Sequence, residues 1–183
     1  HRPRRFWWSL ELVAVLGALV IAASGTEGEA SDQCVQAPVA REDHQPSLNR
    51  PPNQRLTVIS LNMAGEEHLP EVLKVWRDTN AVDRAEILLL QEVRQSSDNR
   101  NGIAVGLSRH LGLEVAYAAA DRLPDGSTQG LAILSRYPLK DVHVLYLKHF
   151  RLRFRSRCRI ALMATVDTPS GSVRAVNVHL DTR

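Results

Sequence analysis

The sequence predicts one domain of the mixed α/β class, preceded by a leader and a polar segment. In the first half of the domain, apolar strand-like runs alternate with amphipathic helical segments. In the second half, short apolar strands follow one another with no helix between them. This mixture favours a layered or sandwich α/β fold over a simple doubly wound sheet. A hydrophobic fraction of 44% is typical of a globular core and not of a disordered chain.

Residues 1–24 have the pattern of a secretory signal peptide or a signal anchor. Arg2, Arg4 and Arg5 precede an apolar run at residues 12–23, and small residues follow it. That run has twelve residues, fewer than the ~20 that a helix needs to cross a bilayer. A cleaved signal, an anchor formed by residues 6–23 and a buried helix therefore all remain open. The first two place the rest of the chain outside the cytoplasm, either secreted or held at the membrane.

Residues 25–54 are polar and show neither a helical nor a strand period, so we expect a flexible tether. The net charge is +3, and it falls to +1 without the three arginines and one glutamate of residues 1–24. Composition alone therefore gives no case for nucleic-acid binding. Cys34 and Cys158 cannot make a disulfide framework, although one bridge between them can form in an exported chain. Two unpaired thiols are an equally good interpretation.

The domain spans residues 55–183, and its first half alternates strands with helices. Between the first two strands, apolar residues recur at helical spacing from Leu69 to Trp76, which predicts a helix with Pro70 in its first turn. Residues 101–111 predict a second helix, which Gly112 ends. Apolar runs of strand length occupy residues 56–63, 86–90 and 114–120.

The second half of the domain is predicted to be a series of strands. Pro124 and the Asp125-Gly126 pair mark a loop at residues 121–128. Residues 169–171, Pro-Ser-Gly, predict a hairpin turn between the last two strands. The predicted strands in this half occupy residues 129–135, 142–147, 159–167 and 172–179.

Three polar side chains follow buried strands at places suited to phosphate or metal chemistry. Asn62, Glu92 and His179 each end an apolar run, and ligands gather at the carboxyl ends of strands in α/β sheets. A carboxylate binds Mg²⁺, an amide holds a carboxylate or a phosphate oxygen, and an imidazole transfers protons near neutral pH. Taken singly, each also fits a structural role: a turn asparagine, a surface glutamate and a partly buried histidine. Asn177 and Asp181 share a strand face with His179, so either could orient its ring.

Residues 148–159 form a basic stripe in which arginine alternates with other residues. In an extended chain the arginines share one face, which suits a nucleic-acid backbone or anionic lipid headgroups. The alternative is a solvated edge strand that its charge protects from aggregation. Arg159 differs from the others because it begins the next apolar strand and is placed to reach the site.

Together these motifs resemble the endonuclease/exonuclease/phosphatase superfamily, which includes deoxyribonuclease I, apurinic endonucleases, neutral sphingomyelinases and inositol-polyphosphate 5-phosphatases. The resemblance runs from residue 56 to residue 183. The matching residues are Leu61-Asn62, Gln91-Glu92-Val93, the run GLAILSRYPL at 130–139, Arg159, and Asn177-Val178-His179-Leu180.

The resemblance implies a four-layer α/β/β/α sandwich of the deoxyribonuclease I type and a metal-dependent phosphoesterase that acts by in-line attack of water. By analogy, Glu92 and Asn62 would hold Mg²⁺ or Mn²⁺, and His179 would contact the scissile phosphate or assist the leaving group. Arg159 would contact a phosphate oxygen. The implied substrate is a phosphate ester, with a nucleic acid or an anionic phospholipid headgroup as candidates, and we expect a monomer.

The chain departs from the family pattern at its carboxyl end. Two later family motifs, Gly-Asp-x-Asn and Ser-Asp-His, do not occur in these 183 residues. We therefore expect a domain truncated at its C-terminus, inactive as this chain alone and active only in a full-length parent. The alternative is a membrane-tethered, non-catalytic module that binds phosphate ligands on the same fold.

Overall fold

The computed structural model describes residues 34–35, 39–42, 56–78, 84–96, 102–147 and 158–180. The predicted leader, residues 1–24, lies outside them, as does the arginine stripe up to residue 157. The described elements are β1 (Ala40–Glu42), β2 (Val58–Asn62), α1 (Leu69–Arg77), β3 (Ile87–Gln95), α2 (Ile103–Leu111), β4 (Glu114–Arg122), β5 (Thr128–Ser135), β6 (Leu139–Tyr146), β7 (Ile160–Thr168) and β8 (Gly171–Val178).

The strands form two sheets. A five-stranded sheet has the order β1-β4-β5-β3-β2, and a three-stranded sheet has the order β6-β7-β8. β2 and β3 are parallel, whereas the other described pairs are antiparallel. The carboxyl end of β2 therefore lies beside the middle of β3, with Asn62 opposite Gln91.

The larger sheet is covered on both faces, and this arrangement confirms the predicted α/β class. On one face, Trp76 of α1 and Leu107 of α2 share a buried cluster with Leu90 of β3. On the other face, Ile133 of β5 packs in a second cluster with Leu162 of β7. The described residues thus contain helix, sheet and sheet layers. No described helix covers the outer face of the three-stranded sheet, so the fourth layer stays a prediction.

Both predicted helices are present, and local sequence explains where they end. Pro70 lies in the first turn of α1, where its missing N–H costs no hydrogen bond. Gly112 follows α2 in the left-handed conformation, with φ of +62°, and its N–H bonds back to the Ser108 carbonyl. None of the helices in the described part of the chain is long and apolar enough to cross a membrane.

The predicted tether contains a strand that the sequence analysis did not foresee. Ala40–Glu42 pair with the edge of β4, and Glu42 forms an ion pair with Arg109 of α2. Cys34 forms a disulfide with Cys158, with 5.4 Å between the Cα atoms, so the interpretation as two unpaired thiols is wrong. A three-residue strand shows no detectable alternation in sequence, and its order comes from these long-range contacts.

The disulfide makes a specific prediction for stability. It closes a loop with a sequence separation of 124 residues, so its loss should lower the free energy of unfolding by about 2–5 kcal/mol. Urea unfolding with and without reductant measures this loss. The double variant Cys34→Ser/Cys158→Ser is the control, since its unfolding midpoint should not respond to reductant. An unchanged midpoint for the reduced native protein would contradict the prediction.

Candidate active site

A β-bulge in β3 places Glu92. Leu90 pairs with Ala132 and Val93 pairs with Gly130, so two residues of β3 lie opposite one residue of β5. Glu92 has a φ of +51°, a left-handed value that is uncommon for a residue other than glycine. The sequence analysis placed Glu92 at the end of its strand, but β3 continues to Gln95. Bulges are frequent beside active sites because they redirect a side chain.

The carbonyls of the two bulged residues accept hydrogen bonds from the turn after β2. The N–H of Met63 donates to the Gln91 carbonyl at 2.8 Å, and the N–H of Gly65 donates to the Glu92 carbonyl at 3.1 Å. Backbone carbonyls in an irregular strand need such partners. The turn at residues 63–65 and the bulge therefore fix each other.

Asn62, Glu92 and His179 meet at this point. Nδ2 of Asn62 donates to Oε1 of Glu92 at 3.1 Å, and Nε2 of His179 lies 3.7 Å from the same oxygen. Oδ1 of Asn62 accepts the N–H of Ala64 at 2.8 Å, which fixes the orientation of the amide. The side chains of Glu92 and His179 are 29% and 28% exposed, so a ligand can reach them. The structure thus brings together three residues that are distant in sequence, while their roles stay predictions.

Asn177 joins the two sheets directly behind these residues. It is 1% exposed, and its Nδ2 donates to the carbonyls of Leu90 at 2.8 Å and Ala132 at 2.9 Å. Its Oδ1 accepts a hydrogen bond from Nε2 of Gln91 at 2.7 Å. Asn177 was considered as a partner of the His179 ring, but its hydrogen bonds are to Leu90 and Gln91 of β3 and to Ala132 of β5. Asp181, the other residue considered, lies outside the described residues.

A polar cleft of about 300 Å³ opens beside Glu92 and His179, and Arg159 lines it as well. Arg159 comes directly before β7, and His179 comes directly after β8. At the wall of the cleft, a Cβ on Gly130 would lie 1.9 Å from the Ala118 carbonyl oxygen, so only glycine fits. The cleft is lined by Glu92, Asp121, Gln129, Arg159, His179 and Leu180, among others.

Sequence reasoning missed Asp121 and Gln129, both of which line the cleft. Asp121 opens the polar run at 121–128, where nothing in its spacing separates it from an ordinary loop residue. In the structure it belongs to β4, at a second register shift between Ala119 and Asp121. Long-range strand pairing sets such irregularities, and a local pattern does not encode them.

Glu92 fits a hard divalent cation. Within the described part of the chain, its Oε1 contacts Asn62 and His179, whereas Oε2 has no hydrogen-bond donor. One partly exposed carboxylate with open space around it is the environment that Mg²⁺ uses, since this ion keeps several waters.

A second acidic group, Glu66, His68 and Glu71, has ligand atoms within 4.8 Å of one another near the start of α1. Oε1 of Glu66 accepts the N–H of His68 at 2.9 Å and contacts its ring at 3.1 Å. These contacts, chiefly the backbone hydrogen bond, hold the pKa of the Glu66 carboxyl below its ordinary value. The local hydrogen bonds of the turn before α1 explain the approach of Glu66 to His68.

The Asn177 amide should contribute more to stability than any neighbour on its strand. Asn177→Ala removes the amide that donates to two buried carbonyls and accepts from Gln91, so we expect the free energy of unfolding to fall by about 2–4 kcal/mol. Val178→Ala is the matched control, because Val178 is an exposed neighbour on the opposite face of β8. Urea unfolding of both variants tests this expectation, and equal losses would show that the bridge is not a major contributor.

The sequence matches the profile of the Endonuclease/Exonuclease/phosphatase family over residues 59–171, more than half of the chain. The matched range includes Asn62, Glu92 and Arg159 and ends before His179. No curated protein matches the chain.

Two solved structures share the fold. One is an endonuclease/exonuclease/phosphatase family protein from Leptotrichia buccalis C-1013-b, with a TM-score of 0.57 and 15% identity over 69% of this chain and 55% of that one. The other is an endonuclease/exonuclease/phosphatase from Beutenbergia cavernae DSM 12333, with a TM-score of 0.54 and 21% identity over 69% of this chain and 38% of that one. The present chain thus spans about half, or less, of the length of these structures. By its family match and its fold, it belongs to the endonuclease/exonuclease/phosphatase family.

Proposed function

We propose that the protein is a metal-dependent phosphoesterase that hydrolyses a phosphodiester or phosphomonoester bond by in-line attack of water. The observation that carries the proposal is the contact of Asn62 and His179 with one carboxylate oxygen of Glu92, where Glu92 and His179 line an open cleft. Enzymes of this family act on phosphoester bonds, and the family match covers Asn62 and Glu92.

In this proposal Glu92 holds Mg²⁺ or Mn²⁺. The ion supplies positive charge that stabilises the negative charge developing on the phosphoryl oxygens. Asn62 orients the carboxylate, because its amide is fixed between the Ala64 N–H and Oε1 of Glu92. Asn62 also lies close enough to Glu92 to contact a water molecule or a phosphate oxygen bound to the ion.

His179 is the candidate proton donor. Its Nε2 lies 3.7 Å from the Glu92 carboxylate, and both side chains line the cleft. The proton on Nε2 would pass to the leaving oxygen as the bond to phosphorus breaks, so the product leaves as a neutral hydroxyl group. Arg159, which lines another part of the cleft, would contact a non-bridging phosphate oxygen.

The chemistry of the cleft favours an anionic ester as substrate. A polar cleft of about 300 Å³ admits a phosphate group with part of its ester substituent, and its open side leaves the remainder outside. A nucleic acid and an anionic phospholipid headgroup share this phosphate chemistry. We keep both as candidate substrates, and we propose a monomeric protein.

We further propose that the protein works outside the cytoplasm, secreted or held at the membrane by residues 6–23. Its disulfide supports this location, because disulfides persist in oxidising compartments and are rare in the cytosol. The signal-like pattern of residues 1–24 supports the same location.

The proposed function predicts that hydrolysis slows when the negative charge of Glu92 is removed. In the full-length protein, Glu92→Gln should lower Mg²⁺- or Mn²⁺-dependent hydrolysis of a phosphodiester probe by about a hundredfold or more, because the amide cannot neutralise the cation. His179→Gln should lower the rate by about a hundredfold for a substrate with a poor leaving group. It should lower the rate less for p-nitrophenyl esters, whose leaving group needs no proton.

The matched control is Glu71→Gln, which removes a carboxylate from the exposed group near the start of α1. Its activity should equal that of the native protein. Loss of activity in Glu71→Gln with full activity in Glu92→Gln would place the metal at the other group and refute the proposed site. Binding of a phosphate ester without turnover in the full-length protein would instead favour the non-catalytic module.

A further inference from the structure

The backbone just before Arg159 is held by a side chain that has no role in the function proposed above. The N–H of Cys158 donates a hydrogen bond to Oδ1 of Asp121 at 3.1 Å. Cys158 is 5% exposed, and both residues line the cleft. This bond ties β4 of the larger sheet to the residue before Arg159.

Asp121 reaches Cys158 because β4 is irregular. The pairing of β4 with β5 shifts between Ala119 and Asp121, so Ala120 is an extra residue in the strand. Ala120 packs in the cluster between the two sheets, and regular alternation would direct the next side chain to the helical face. The extra residue allows Asp121 to face the second sheet as well.

Cys158 is anchored a second time through its disulfide to Cys34. The segment that carries Cys34 is itself fixed to both sheets. The N–H of Val35 donates to the Ala120 carbonyl at 3.2 Å, and the hydroxyl of Tyr146 donates to the Val35 carbonyl at 3.2 Å. Both the main chain and the side chain of Cys158 are therefore held, and the backbone of Arg159 begins from a fixed point.

We propose that Asp121 is a positioning residue. By holding the Cys158 N–H, it sets the guanidinium of Arg159 against a phosphoryl group bound in the cleft. This inference rests on the proposed function, in which Arg159 contacts that group. A carboxylate is a strong acceptor for a backbone N–H, and a displacement of about 1 Å in a substrate-contacting group can cost about a hundredfold in rate.

A double-mutant cycle in the full-length protein tests this role. Asp121→Ala should lower kcat/KM for a phosphodiester probe by about tenfold, since the Cys158 N–H loses its acceptor and, of the two anchors of Cys158 before Arg159, the disulfide alone remains. In an Arg159→Ala background, the same change should lower kcat/KM by less than about twofold, because the group it positions is gone. Asp121→Asn keeps an acceptor oxygen and should stay within about threefold of the native value.

Two kinetic results would overturn the proposal. One is an equal loss from Asp121→Ala in both backgrounds, which would mean that Asp121 acts independently of Arg159. The other is a loss in Asp121→Asn as large as in Asp121→Ala, which would mean that the negative charge itself is needed. Thermal unfolding of each variant identifies any that fail to fold.

The same double-mutant cycle can be measured through the affinity for inorganic phosphate, which involves no turnover. Asp121→Ala should weaken phosphate binding when Arg159 is present and leave it unchanged when Arg159 is alanine. Equal phosphate affinity in the native protein and Asp121→Ala would also refute the positioning role. If the native protein binds phosphate but does not hydrolyse esters, the proposed function is refuted and the positioning role is not. Failure of the proposed function can thus be told apart from failure of the positioning role.

Discussion

One buried amide, that of Asn177, joins the two sheets at the place where the candidate site lies. It donates to two main-chain carbonyls of the larger sheet and accepts from the side chain of Gln91. A buried amide is costly unless its hydrogen bonds are made, so these bonds select one alignment of the sheets. In that alignment Glu92, next to Gln91, lies beside His179, two residues beyond Asn177. The contact between the carboxylate and the imidazole is therefore a consequence of how the sheets are joined.

The same region contains two of the three non-glycine residues with a positive φ in the described part of the chain, and the third is Asp141 of β6. Glu92 has a left-handed φ, and Ala64 in the facing turn has a φ of +52°. Such conformations cost of order 1–3 kcal/mol each and persist only where surrounding contacts determine them. Here the turn after β2 and the Asn177 amide supply those contacts, and they satisfy the carbonyls around the bulge. Local strain is thus present at the residue that is proposed to hold the metal.

Local sequence predicted much of the fold, because periodicity and helix-ending residues act over a few positions. The spacing from Leu69 to Trp76 and the stop at Gly112 gave both helices, and apolar runs gave seven of the described strands to within a few residues. Local sequence did not predict three features: the bulge at Glu92, the short strand Ala40–Glu42, and the orientation of Asp121 toward the second sheet. Each depends on pairing between segments that are distant in sequence. The resemblance to a family predicted Asn62, Glu92, Arg159 and His179 as candidate site residues, but the Asn177 bridge between the sheets became visible only in three dimensions.

Anomalous diffraction from crystals of the full-length protein soaked in Mn²⁺ would show whether the joined sheets build a metal site at Glu92. We expect a manganese peak within bonding distance of a Glu92 carboxylate oxygen, with Asn62 and His179 beside it. A peak only at Glu66, His68 and Glu71, or no peak near Glu92, would refute a metal site at Glu92.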